Sequence, residues 1–245
     1  MNRQWINRIG IYLLGLLILA LGLSLNTKAG LGVSAIISVS YSISLVMGFN
    51  FGNTTLGLYT FFVLLEMIFH FIKIRKYTEK NNEAIGHLRK KDFKLVFLMD
   101  LLQLPLSLVF TRFLNVFSAV LPDYSQFGEP GPVRFTVQML ALLIAIICTG
   151  IGAAMSLNMR IIPNPGDGIV QAIADCIQKG VGFTKNCFDV VNIIISTMIG
   201  LICVGHLAGV GIGTVFAVIG VGRVIAIFNR FFYKRMIQCA GLDER

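Results

Sequence analysis

The chain has 245 residues, of which 56% are hydrophobic and only 13% charged. A soluble domain is about one quarter charged, so this composition excludes an ordinary soluble globule and points to an all-α, polytopic helical membrane protein. The net charge of +9 is concentrated, with eight basic residues between Lys73 and Lys94, as in a cytoplasmic loop facing anionic headgroups and not as in a nucleic-acid surface.

In chain order, Arg3 and Arg8 precede an apolar run over 9–26. The run is long for a signal peptide, and Thr27-Lys28-Ala29 is a poor cleavage context, so it reads as an uncleaved first membrane helix. Asn26 ends it, and Ala29-Gly30-Leu31-Gly32 leads into a serine-rich segment, 33–47, that carries Ser34, Ser38, Ser40, Ser42 and Ser44. A helix of that length spans only ~22 Å, less than the ~30 Å of hydrocarbon. Gly48-Phe49 opens a second crossing at 55–73, with Glu66 deep inside it. An ionisable group at such a position marks a partner or a pathway. The basic stretch 73–94 follows, then a crossing at 95–119 with Asp100 near its start. An acidic, proline-containing loop from Pro122-Asp123 to Glu129-Pro130 ends the first half.

The second half repeats the plan. Its first crossing, 135–157, runs through Gly152 to Leu157-Asn158, as the earlier one runs through Gly22 to Leu25-Asn26. Pro165-Gly166-Asp167-Gly168 opens a short polar segment, 169–179, with Gln171, Asp175 and Gln178; it spans only ~16 Å. Gly182-Phe183 matches Gly48-Phe49. Crossings at 187–205, with Asp189, and 212–229, with Arg223, complete the chain. The glycines from Gly205 to Gly213 lack Walker spacing and a lysine, so they read as a turn between closely packed helices.

Charge decides whether the short segments cross. If they do not, and the N-terminus is cytoplasmic, the 73–94 stretch, Arg160, Lys179, Lys185, Arg230, Lys234, Arg235 and Arg245 join Arg3 and Arg8 inside. Only Lys28 and Arg134 stay outside. If both cross, many of these cations change sides. The positive-inside rule favours the first arrangement. The expected fold is therefore six crossings plus two short re-entrant helical segments, with both termini cytoplasmic. Three crossings per half is an odd number, so the repeats, 1–130 and 131–245, enter from opposite sides as an inverted repeat.

The re-entrant tips would then meet near the midplane, since non-helical backbone at that depth needs protein or a water-filled cavity around it. The expected substrate-binding residues are Gly30, Gly32, Ser34, Gly166, Asp167 and Gly168, with Glu66 and Arg223 as charged participants. Asp167 reads either as a helix N-cap or as a cation or proton ligand at a loop tip. Asp100 and Asp189 lie near helix ends, within reach of headgroups. The five cysteines show no metal-ligand spacing, so no metal or cofactor is expected. No catalytic constellation appears, so the chain does not read as an enzyme. Half-helix N-termini favour anionic groups, and the expected function is secondary transport of a small, anionic solute. A non-catalytic membrane accessory that docks another protein is the alternative. Self-association stays open.

Several of these stretches resemble a known family. Asn164 to Gly168 with the short helix behind it, Gly182-Phe183, Gly205 to Thr214, and Ala29 to Gly32 resemble the YczE/YitT-like family of bacterial integral membrane proteins. The likeness covers most of the chain outside 76–92. It implies a multi-spanning protein of the bacterial inner membrane, without a defined biochemical role. The chain departs from that pattern at Lys185-Asn186-Cys187 and Asp189, where the resemblance leads one to expect an arginine and a glutamate.

Overall fold

The computed structural model describes residues 3–80 and 86–242. Among these the chain is helical throughout and forms no strand. Helix α1 spans Arg3–Ala29, α2 Ala35–Met47, α3 Phe51–Lys80 and α4 Gly86–Val120. After a single 3-10 turn at Tyr124–Gln126 come α5 at Pro132–Asn158, α6 at Pro165–Ile177, α7 at Val181–Val204 and α8 at Ile212–Ala240. Six of them (α1, α3, α4, α5, α7 and α8) are long and apolar enough to cross a membrane. The protein is a polytopic helical membrane protein. Helices α2 and α6 have 13 residues each and rise only ~20 Å, too little to cross.

The helices overrun the expected crossings at most of their ends. The basic stretch, expected as a loop, is largely helix, since α3 continues to Lys80 and α4 begins at Gly86. Residues 73–80 contain neither glycine nor proline, and lysine, arginine and glutamate are good helix formers once a turn exists. Residues 81–85 of that stretch lie outside the described residues.

The centre of the bundle is α1 packed antiparallel on α5. Small residues make this approach possible. A Cβ on Gly22 would stand 2.5 Å from the Thr149 nitrogen, and one on Gly15 2.8 Å from the Ser156 nitrogen. In lipid, where helices gain little hydrophobic energy from pairing, such close packing is a main source of association. Helix α4 flanks α1, where the Ser24 hydroxyl donates to the Leu114 carbonyl at 3.3 Å. Helix α8 flanks α5, with Val224 against Gly150. The two halves interleave outside this centre: α2 packs on α7, and α6 packs on α3.

Buried Tyr12, Leu16, Leu23, Tyr59, Phe110 and Leu114 anchor the main core. Large apolar side chains such as Phe61, Leu64, Ile68, Leu101, Ile194 and Ile202 face outward, as a lipid-facing surface requires. At one end of the bundle, Arg8 donates to the carbonyls of Met159 and Arg160, each at 2.8 Å, and Asn7 donates to that of Cys239 at 3.4 Å. The start of α1 and the ends of α5 and α8 therefore share one end, and with them Arg3, Arg160, Lys234 and Arg235. Helix α3 packs along α4, whereas α7 and α8 scarcely touch.

Candidate functional site

A cavity of about 280 Å³ lies in the middle of the bundle, where α7 and α8 stand apart. Leu19 and Leu23 of α1, Thr149 and Ala153 of α5, and Ala217, Val221 and Ile225 of α8 form its apolar wall. Both short helices begin at it. Ser34 and Ile36 reach it from the start of α2, and Asn164, Gly166 and Asp167 from the start of α6. Tyr59 of α3 and Gly182, Lys185, Asn186 and Asp189 of α7 complete the lining.

Pro165 explains the local geometry at α6. Proline suits the first position of a helix, where its missing N–H costs nothing. The helix therefore starts at Pro165, and Asn164 holds the cap position. Asp167, expected at the N-cap, sits instead inside the first turn, and its backbone N–H bonds the Asn164 carbonyl at 2.8 Å. Its carboxylate accepts from the Lys185 ammonium at 3.3 Å. Asp189 lies one turn beyond Lys185 on α7 and is buried. The Asn164 Oδ1 is buried with no hydrogen-bond partner among the described residues. The cavity thus presents one cation and two carboxylates, and the Asn164 acceptor is buried beside it.

Of the expected site residues, Ser34, Gly166 and Asp167 line this cavity and the others do not. Gly30 and Gly32 lie in a second hollow near the α7–α8 connection. There the segment after α1 is pinned by two backbone bonds, Val33 N–H to Gly209 O at 2.9 Å and Gly213 N–H to Leu31 O at 2.7 Å. Gly32 has φ of +105°, and a Cβ on it would stand 2.5 Å from the Gly211 nitrogen. Only glycine meets both demands. Arg223, expected to need a counter-charge, is exposed on α8 and has no hydrogen bond or ion pair among the described residues. Gly222 lines the cavity, but the next residue points about 100° further round the helix.

Glu66 and Gly168 meet behind the cavity wall. A Cβ on Gly168 would be 2.5 Å from Glu66 Oε2, so the glycine lets α6 rest on that carboxylate. Glu66 also accepts from Gln103 Nε2 at 3.0 Å. One turn along α3, His70 Nδ1 lies 2.8 Å from Asp100 Oδ2. Asp100 is only 3% exposed, so it faces α3 and not headgroups. Glu66, His70 and Asp100 bring one ligand-capable atom each to within 4.8 Å of one another. Sequence reasoning missed Asn164, Lys185 and Asn186 in the cavity and His70 and Gln103 beside Glu66, and it weighed Asp189 only as one of several ionisable groups near helix ends. The Lys185–Asp189 spacing, one helical turn within an apolar run, was the available signal.

No curated protein and no solved structure matches the chain. The model of a family described as "Family of unknown function (DUF6198)" matches residues 6–230, and the chain belongs to that family.

Proposed function

We propose that this protein is a secondary transporter of a small solute, a carrier and not an enzyme, built as an inverted repeat and related to the YczE/YitT-like proteins. The observation that carries the reading is the convergence of α2 and α6. Two helices too short to cross start at one central cavity, which is how carriers place a solute between repeats. The exchange of partners between halves, α2 on α7 and α6 on α3, supports the same reading. Half-helix N-termini and Lys185 suit a carboxylate or another anionic group. Asp189, which lines the cavity, suits an N–H donor at the other end of the solute. A compact zwitterion satisfies both. The cavity, at about 280 Å³, has room for a molecule the size of an amino acid or small hydroxy acid.

On this reading the protein belongs to the bacterial cytoplasmic membrane, and the positive-inside rule favours both termini and the basic 73–94 stretch on the cytoplasmic side. Cysteine labelling on a background lacking the five native cysteines tests this placement. Probes at the N-terminus, residue 85 and the C-terminus should all be protected from an impermeant reagent added outside. Function is tested with a panel of amino acids and small hydroxy acids, by thermal shift and by proteoliposome uptake. Binding and uptake that vanish in Asp167→Asn and Lys185→Met support a carrier. A panel without any shift, joined to unchanged cellular phenotype in both variants, sinks the idea in favour of a docking protein.

A further inference from the structure

We propose that Glu66, His70, Asp100 and Gln103 form a binding site for a divalent transition-metal cation. The four residues stand on two facing helices at spacings of one turn. Glu66 and His70 are four apart on α3, and Asp100 and Gln103 are three apart on α4, so each pair shares a face. Facing helices that each present such a pair are a common way to build a metal site inside a bundle.

Four observations carry the assignment. The candidate atoms of Glu66, His70 and Asp100 lie within 4.8 Å of one another. Tetrahedral bonds of about 2.0–2.2 Å need ligand atoms roughly 3.4 Å apart, which small side-chain rotations supply. The cluster is buried, with Glu66 and Asp100 each 3% and Gln103 1% exposed, yet it holds two carboxylates and a single imidazole. The nearby ammonium of Lys73 is engaged elsewhere, by Asp175 of α6 at 2.8 Å. A divalent cation balances both carboxylates. The Gln103 amide, held on Glu66 through its nitrogen, has a buried oxygen with no hydrogen-bond partner among the described residues. A cation between the helices gives that oxygen a ligand role.

The donor set selects the metal. One imidazole, two carboxylates and an amide, with no thiolate, suit Mn2+, Fe2+ or Zn2+ better than Mg2+ or Ca2+. The His70 side chain is 16% exposed and provides the way in. Bound there, the ion ties α3 to α4 and fixes Glu66 under Gly168, and so fixes the tip of α6. The site is independent of what the cavity carries.

The test uses tag-free, full-length protein in detergent, stripped with EDTA and then titrated with Mn2+ or Zn2+. Mn2+ should bind stoichiometrically by electron paramagnetic resonance, and both ions should raise Tm. His70→Gln and Asp100→Asn should each weaken Mn2+ binding by about tenfold or more, while a variant lacking all five cysteines binds as the parent does. If Asp100→Asn does not fold, Gln103→Leu removes the unpaired oxygen at similar volume and should also weaken binding. Absence of Mn2+ binding overturns the assignment. So does binding untouched by His70→Gln, or a Zn2+ effect that follows the cysteines.

Discussion

The ammonium of Lys185, at the start of α7, reaches 3.3 Å to the carboxylate of Asp167 in the first turn of α6. The pair spans a cavity wall, and its partners remain about one quarter to one third exposed. Water screens such a pair, so its own energy is small, about 0.5–1 kcal/mol. Its value lies in holding two charges ready for a solute. Lys185→Met should cut uptake by roughly ten- to a hundredfold, the worth of one hydrogen bond to a charged group. Tm should fall only slightly. A double-mutant cycle with Asp167→Asn measures the coupling. A coupling of several kcal/mol would mean that the pair is a structural strut and not a solute contact.

Gly168 and Glu66 give a second prediction. Any side chain at residue 168 meets the Glu66 carboxylate. Gly168→Ala should destabilise the protein by about 1–3 kcal/mol, the usual range for overpacking. The cost should shrink when Glu66 is replaced by alanine, because the obstructing atoms are then gone. Thermal unfolding of the four variants checks this. Additive losses would show that α6 does not rest on Glu66.

A third prediction concerns the segment between α1 and α2. Gly32 combines a positive φ with the backbone of Gly211 pressed against it. Gly32→Ala should undock the segment from the α7–α8 connection at a cost of about 1–3 kcal/mol. Hydrogen exchange should accelerate at the Val33 and Gly213 amides, which make the two docking bonds. The α1–α5 seam should keep its protection.

How much of this was legible beforehand depends on whether the signal was local. Run length and charge bias marked the six crossings, because hydrocarbon thickness and the positive-inside rule act on contiguous sequence. The same logic isolated α2 and α6 by their shortness, and Ser34, Gly166 and Asp167 by their place at the tips. Lys185 was counted as a cation for the inner side and as a departure from the family pattern, not as a cavity residue. A linear charge count assigns a residue to a side and says nothing of the reach of its stem, which here extends to another helix. The Glu66–His70 spacing is visible along α3, but its meeting with Asp100 and Gln103 needs the register of α3 on α4. Asp167 fell three residues from the cap expected of it because Pro165 fixes where the helix begins.

Arg223 supplies the last prediction, because its chemistry and its position disagree. An arginine inside a transmembrane helix is costly and by default marks a partner or a pathway. Here its neighbours Val221 and Gly222 line the cavity, while Arg223 itself turns outward without a hydrogen bond or ion pair among the described residues. Nothing in the cavity loses a contact when it changes. Arg223→Gln should therefore leave solute binding within about twofold and stability within about 0.5 kcal/mol, as for other surface changes. Arg223→Leu should raise Tm in lipid nanodiscs, since it removes an unpaired charge from a face that meets acyl chains. If Arg223→Gln instead abolishes uptake while Tm holds, the guanidinium enters the pathway in another state of the carrier. The site would then extend across α8, and the outward position of Arg223 would belong to one half of a transport cycle.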